Sequence, residues 1–217
     1  YYQSSSQGIS RTLVPLSNLS SGTQFSSTSG ILDLGSGNDS VVFQPGTFGV
    51  SSLIGGAGTD TLNYSSYGSA VTVNLATGTA TGTGGISGFE TVLGSASADT
   101  ITASTSGDVS LQGQVGADTF NVTVAGLTST DTIDGGADSD TLVFTDSGVI
   151  TDDQFTNVTT LETVNLTGAS TISAGTEASQ AGIATINTGT VATTVNSTAA
   201  NYDLSLIHIS EPTRPRL

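Results

Sequence analysis

Large apolar residues occur along this chain in short runs, set singly or in alternation among Ser, Thr, Asn and Asp, and separated by glycine-rich segments. Strict alternation over a few residues marks strands with one buried face, because successive side chains point to opposite sides. Residues 39–43, 50–54, 61–64 and 71–75 are short strand candidates rich in β-branched side chains. The same rhythm continues past Phe144, where Val158, Leu161, Val164, Leu166, Ile172, Ile183, Ile186, Val191 and Val195 mark further short strands. No stretch carries a helical period, and the Gly and β-branched content disfavours one. Residues 1–30 differ: Ser, Thr, Gln and Gly dominate, with apolar groups only at Leu13-Val14 and Leu16, as in a linker or an irregular first coil.

The segments between strands carry a motif. Gly55-Gly56-Ala57-Gly58-Thr59-Asp60-Thr61-Leu62-Asn63 fits G-G-x-G-x-D-x-U-x, with U a large apolar residue, at every defined position. Its first six residues form a turn whose glycines tolerate positive φ and expose carbonyls. Leu62 then points inward from a strand. Looser copies lie at Gly35-Ser36-Gly37-Asn38-Asp39, at Gly113-Gln114-Val115-Gly116-Ala117-Asp118 and at Gly135-Gly136-Ala137-Asp138-Ser139-Asp140. Gly94-Ser95-Ala96-Ser97-Ala98-Asp99 is the weakest, with two glycines changed. The aspartates at 39, 60, 99, 118 and 140 are 21, 39, 19 and 22 residues apart, a coil repeat near twenty with one double step. The aspartate-free Thr/Gly run at 77–83 falls in that step and is expected to split the copies into one group around Asp39 and Asp60 and another around Asp99, Asp118 and Asp140.

Over residues 32–144 the chain resembles the RTX (repeats-in-toxin), or hemolysin-type calcium-binding, family of secreted bacterial proteins. The resemblance implies an all-β fold, a parallel β-roll or β-solenoid, with Ca2+ held between successive glycine-rich turns on one edge. It implies as calcium ligands Gly35, Gly37 and Asp39; Gly55, Gly56, Gly58 and Asp60; Gly94 and Asp99; Gly113, Gly116 and Asp118; and Gly135, Gly136, Asp138 and Asp140. Calcium takes about six to eight oxygens, so one loop supplies half a site and a neighbouring loop must complete it. Asp118 is therefore expected to have motif loops on both sides, and Asp60 to have Asp39 on one side and the Thr/Gly coil on the other. The motif recurs only about every second nonapeptide, so fewer ions are expected than in a regular array. Residues 146–203 are expected to continue the solenoid without calcium motifs; their Thr/Ala/Asn-rich strands resemble those of adhesin and surface-layer proteins.

Charge narrows the partners. The sequence has 18 acidic residues against three arginines and no lysine, a net charge of −15, which disfavours nucleic acid and anionic membranes and favours cations. Cysteine is absent, so there are neither disulfides nor thiolate metal sites. No apolar run approaches the about 20 residues of a membrane span. The first residue is Tyr1, so the natural start is expected to lie upstream. At the other end, residues 204–214 read as the in-frame translation of a transposase-type sequencing adapter, and residues 204–217 are taken as foreign. Setting them aside removes His208, Arg214, Arg216 and Glu211, leaving Arg11 against 17 acidic residues and a charge of 1 − 17 = −16.

Without a native His, Lys or Cys, the usual bases and activated nucleophiles are missing. Asp152-Asp153 is the nearest candidate for paired-carboxylate hydrolysis, but adjacent strand residues face opposite sides and such pairs commonly form turns. The sequence thus describes a non-enzymatic, calcium-stabilised structural or interaction segment of a larger secreted or cell-surface bacterial protein, with calcium ions as partners and surface glycans or neighbouring copies as further ones. Two alternatives are a fragment of a secreted RTX enzyme or toxin whose catalytic domain lies elsewhere, and a metal-free adhesin or surface-layer coil.

Overall fold

A computed structural model describes residues 30–45, 50–188 and 192–197 and the backbone of 208–209. The readings of residues 1–29 and most of 204–217 lie outside these residues. The chain runs through β1 (Ile31–Asp33), β2 (Ser40–Val42), β3 (Ser52–Ile54), β4 (Thr61–Asn63), β5 (Thr72–Asn74), β6 (Thr79–Ala80), β7 (Ile86–Ser87), β8 (Thr91–Leu93), β9 (Thr100–Thr102) and β10 (Ser110–Gln112). It continues through β11 (Thr119–Val122), β12 (Thr132–Asp134), β13 (Thr141–Phe144), β14 (Val149–Ile150), β15 (Val158–Thr159), β16 (Thr163–Leu166) and β17 (Thr171–Ala174). The helix α1 (Thr176–Gln180), β18 (Thr185–Asn187), β19 (Thr194–Ser197) and β20 (His208–Ile209) complete it.

These strands stack coil upon coil into a parallel β-solenoid. One face is a six-stranded sheet ordered β2-β4-β8-β10-β12-β15, and the other an eight-stranded sheet ordered β6-β5-β9-β11-β13-β16-β18-β20. Two three-stranded sheets, β1-β3-β7 and β14-β17-β19, add a third side at either end. Every pairing is parallel except β5 with β6, a local hairpin. The eight-stranded sheet crosses residue 145 without interruption, since β13 pairs with β16 and β16 with β18. The last motif therefore ends no structural unit. At its far edge β18 pairs with β20; an open strand edge offers backbone groups that any extended segment can meet, whatever its origin.

Register explains the composition. The central residue of each strand points inward, so that Val41, Leu62, Val92, Leu111, Ile133 and Val158 line one wall and Val73, Ile101, Phe120, Leu142, Val164 and Ile186 the other, all buried. Each fully buried side chain of this size contributes about 1.5–3 kcal/mol. The flanking positions face out, where Thr72, Thr100, Thr119, Thr141, Thr163 and Thr185 form one column, a β-branched residue suited to a half-exposed strand.

Two features depart from the sequence reading. A five-residue helix, α1, and a 3-10 turn at Asp152–Phe155 interrupt the all-strand pattern near the distal end. The 39-residue step between Asp60 and Asp99 is also no double coil. The Asp60 rung bonds to Glu90, 30 residues on, and Asp99 follows Glu90 by 99 − 90 = 9 residues. It is one enlarged coil, swollen by the β5–β6 hairpin and β7, plus half a coil. Half a coil crosses the solenoid.

Candidate metal centre

That half-coil shift separates the motif loops. The loops at 35–39 and 55–60 run from the β1-β3-β7 sheet into the six-stranded sheet, whereas those at 94–99, 113–118 and 135–140 run from the six-stranded into the eight-stranded sheet. The grouping expected from the spacing is present. The two groups occupy different corners, however, instead of the single edge that the family resemblance implied.

Within each group the aspartates form a ladder in which a carboxylate oxygen of one coil accepts the N–H of the preceding coil's aspartate. Asp60 Oδ1 accepts from Asp39 N–H at 2.8 Å, and Glu90 Oε2 from Asp60 N–H at 2.9 Å. On the other corner Asp99 Oδ1 accepts from Val71 N–H at 2.7 Å, Asp118 Oδ1 from Asp99 N–H at 2.7 Å, Asp140 Oδ1 from Asp118 N–H at 2.7 Å and Glu162 Oε2 from Asp140 N–H at 2.7 Å. The Asp60 rung thus ends on Glu90, in place of the aspartate-free coil expected beside it. Neither glutamate is within a motif. The signal was the loose recurrence of Gly88-Phe89-Glu90-Thr91-Val92 as Thr160-Leu161-Glu162-Thr163-Val164.

Each ladder carboxylate has a second oxygen. One buried carboxylate oxygen (Oδ2) of each of Asp39, Asp60, Asp118 and Asp140 has no hydrogen-bond partner; among the described residues the only other such side-chain oxygen is the Thr193 hydroxyl. Asp60 and Asp140 are fully buried and Asp118 is 1 % exposed. The described residues contain no lysine or arginine to pair with them. An unpaired buried carboxylate costs several kcal/mol unless it is protonated or meets a cation. Burial accordingly pushes the Asp118 carboxyl up to about 7, against the pull of the Asp99 N–H and with the charges of Asp99, Asp140 and Asp138 adding to the rise. Burial likewise raises Asp60, with Asp39 and Glu90 adding charge, and Asp140, with Glu162, Asp138 and Asp134 adding charge.

The surroundings of these oxygens fit a hard cation. A Cβ placed on the first glycine of a loop would collide both with that loop's own Asp Oδ2 and with a carbonyl of the next coil: Gly55 with Asp60 and the Gly88 carbonyl, Gly113 with Asp118 and the Gly135 carbonyl, Gly135 with Asp140 and the Thr160 carbonyl. Oxygen donors from two coils thus converge where only glycine fits. Among the described residues no group of three His, Cys, Asp or Glu side chains surrounds a common point, so these sites depend on backbone carbonyls around one or two carboxylates. Oxygen-only sites of this kind suit calcium.

Loop backbones show which copies keep the shape. In the full motif the second and third glycines, Gly56 and Gly58, have φ of 111° and 138°, and Gly35 and Gly37 match them at 94° and 126°. Gln114 and Asp138, which replace glycines, still hold φ of 81° and 84°. Non-glycine residues reach this region at a cost of about 1–2 kcal/mol. The 113–118 and 135–140 loops therefore keep the backbone of the full motif despite their changed letters, and the Asp138 side chain accepts from Gly116 N–H at 3.2 Å. The weakest copy has lost it. Ser95 and Ser97 are not among the positive-φ residues, and Ser95 donates its N–H to Asp99 Oδ2 at 2.5 Å and its hydroxyl to Asp99 Oδ1 at 2.8 Å. Serine satisfies the carboxylate that elsewhere stays open.

Asp131 and Asp152 spend their oxygens inside the fold. Asp131 accepts from Val109 N–H and from Thr128 N–H and hydroxyl. Asp152 accepts from the N–H groups of Gly175, Glu177 and Ala178, which caps α1. No helix among the described residues is long and apolar enough to cross a membrane.

The family model of the RTX calcium-binding nonapeptide repeat, which spans four copies of the repeat, matches residues 46–66 and 123–144. These segments contain the loops at 55–60 and 135–140; the loops at 35–39 and 113–118 fall outside them but share their backbone and open carboxylate oxygens. Comparisons with curated proteins and with solved structures gave no match.

Proposed function

We propose, from the premise that this chain is an RTX/hemolysin-type calcium-binding repeat protein, that it is a calcium-dependent structural segment of a larger secreted or cell-surface bacterial protein, folding where calcium is abundant. The observation that carries this reading is the row of buried carboxylate oxygens without partners in a chain whose described residues have no basic side chain. In the absence of an ion those oxygens must take up protons or the coils must separate. Ca2+ supplies the positive charge and the coordination demand that let Asp60, Asp118 and Asp140 stay ionised inside the stack.

The residues divide the work. Motif aspartates hold adjacent coils together through the N–H ladder, and all but Asp99 present their second oxygen to the ion; the loop glycines allow carbonyls to approach; the inward apolar columns supply cohesion once the charge is neutralised. The distal coils are built differently. Gln154 donates to the carbonyls of Val124 and Leu127 at 2.8 and 2.7 Å, and Asp152 caps α1, so side chains do there what an ion does in the motif loops. This supports a calcium-independent extension, whatever catalytic or adhesive domains accompany it.

Far-ultraviolet circular dichroism of the full chain in chelator and then in millimolar calcium tests the proposal. Strand signal gained on adding calcium, and lost again on chelation, is the expected result. An identical spectrum in both conditions would refute it and favour a metal-free coil.

A further inference from the structure

We propose that Glu90 and Glu162 are calcium ligands, each closing the terminal site of its ladder from a three-residue corner that substitutes for a missing nonapeptide loop. This rests on the calcium reading above and adds to it two ligands, and a type of half-site, that the motif does not contain.

The two corners are built alike although they lie at different corners of the solenoid. Gly88-Phe89-Glu90 follows the full motif loop by one coil, and Thr160-Leu161-Glu162 follows the last motif loop by one coil. In each, the first residue has left-handed backbone, Gly88 at φ 65° and Thr160 at φ 52°. Its carbonyl oxygen lies where a Cβ on the facing glycine, Gly55 or Gly135, would sit. The second residue, Phe89 or Leu161, is buried and anchors the corner in the core. The third places its carboxylate on the rung that an aspartate fills elsewhere, accepting the N–H of Asp60 or Asp140.

Thr160 makes the point most sharply. A β-branched residue is a genuine outlier at positive φ, a conformation usually retained only when the surroundings demand it. Its hydroxyl donates to Asp134 Oδ1 at 2.5 Å and accepts from Gly136 N–H at 2.8 Å, which clamps the strained corner against the motif loop. The independent sign of a ligand is the facing aspartate. Asp60 and Asp140 are each fully buried with one oxygen unpartnered, and each looks across its glycine at a corner carbonyl. Each site therefore holds an aspartate oxygen, a carbonyl from the next coil and a glutamate on the same rung, with no protein cation. A glutamate serving only as a ladder acceptor would need no charge; glutamine would do as well.

Calcium stoichiometry by equilibrium dialysis and binding midpoints by calorimetry, on the full chain with calcium chloride, decide the matter. Glu162→Gln keeps an oxygen for the Asp140 N–H but removes the charge. It is expected to bind one ion fewer, or to bind that ion about tenfold or more weakly, as is typical when a metal loses a ligand charge. Glu90→Gln should do the same independently, which keeps the test open if one variant fails to fold. Asp140→Asn and the Asp140→Asn/Glu162→Gln double variant complete a cycle, since two ligands of one ion lose it only once. Asp153→Asn, an exposed acid away from both corners, controls for diffuse charge and should leave binding unchanged. If wild type binds calcium and both glutamine variants match it in stoichiometry and midpoint, the glutamates are mere ladder acceptors and the proposal fails. If wild type binds none, the calcium reading itself fails.

Discussion

Replacing Asp118 by Asn is expected to have opposite effects with and without calcium. The substitution keeps Oδ1, which accepts the Asp99 N–H at 2.7 Å, and exchanges the unpartnered Oδ2 for a neutral amide of nearly the same size. In calcium-free protein, burial raises the Asp118 carboxyl from 3.8 to about 7. A folded-state value above the unfolded one stabilises the fold fully below pH 3.8, and that contribution is lost as pH rises through 7. At pH 8 the ionised form thus costs about 2–4 kcal/mol relative to an exposed aspartate, the full shift reduced by the water that reaches the loop. The cost shrinks as pH falls below 7 and is largely gone near pH 4. The neutral amide carries none of it. In calcium-free buffer the variant should retain more strand signal than wild type at pH 8, with the gap closing towards pH 4. With calcium present the order reverses, because wild type gains about 2.7 kcal/mol per site at a hundredfold excess over the dissociation constant, while the variant's site lacks its charge. Urea titrations followed by circular dichroism at both pH values, with and without calcium, provide the measurement. A variant less stable than wild type in calcium-free buffer at pH 8 would show that the buried carboxylate carries no penalty; equal stabilisation of both proteins by calcium would show that Asp118 does not hold the ion.

Changing Ser95 and Ser97 together to Gly should free the Asp99 carboxylate, which Ser95 now satisfies, and dialysis should then find one more calcium bound than in wild type. Asp152→Ala removes the acceptor of the Gly175, Glu177 and Ala178 N–H groups and should cost about 1–2 kcal/mol in urea unfolding, equally with and without calcium. Gln114→Gly relieves a φ of 81° and should raise stability in calcium by about 0.5–1 kcal/mol, the released strain slightly exceeding the added unfolded-state entropy; a loss of stability would mean that the side chain contributes more than its strain costs. Leu142→Ala, in the middle of a fully buried column, should cost about 2–5 kcal/mol and lower the thermal midpoint in calcium.

Much of this molecule was legible along the chain. A single apolar residue between polar neighbours, as at Leu62 or Ile133, specifies a short strand with one buried side, and a glycine turn every ten residues or so leaves a stack of coils as the arrangement that buries all of those residues together. The motif residues Gly55, Gly56, Gly58 and Asp60 likewise announced a loop with converging oxygens, because their chemistry is local: positive φ, exposed carbonyls, one carboxylate. Tertiary structure decided what depended on distance across coils. The number of half-turns between Asp60 and Asp99 could not be counted from spacing, since the β5–β6 hairpin adds residues without adding rungs, and that parity sets which corner each loop occupies. Only the register between coils put Glu90 and Glu162 on the aspartate ladder, although each is far in sequence from the N–H it receives. Only the loop backbone distinguished Gln114 and Asp138, which keep the glycine conformation, from Ser95, which turns its N–H and hydroxyl onto Asp99 and closes the site. Local preferences write the coil into the sequence, whereas an ion site between coils depends on which oxygens face each other after stacking.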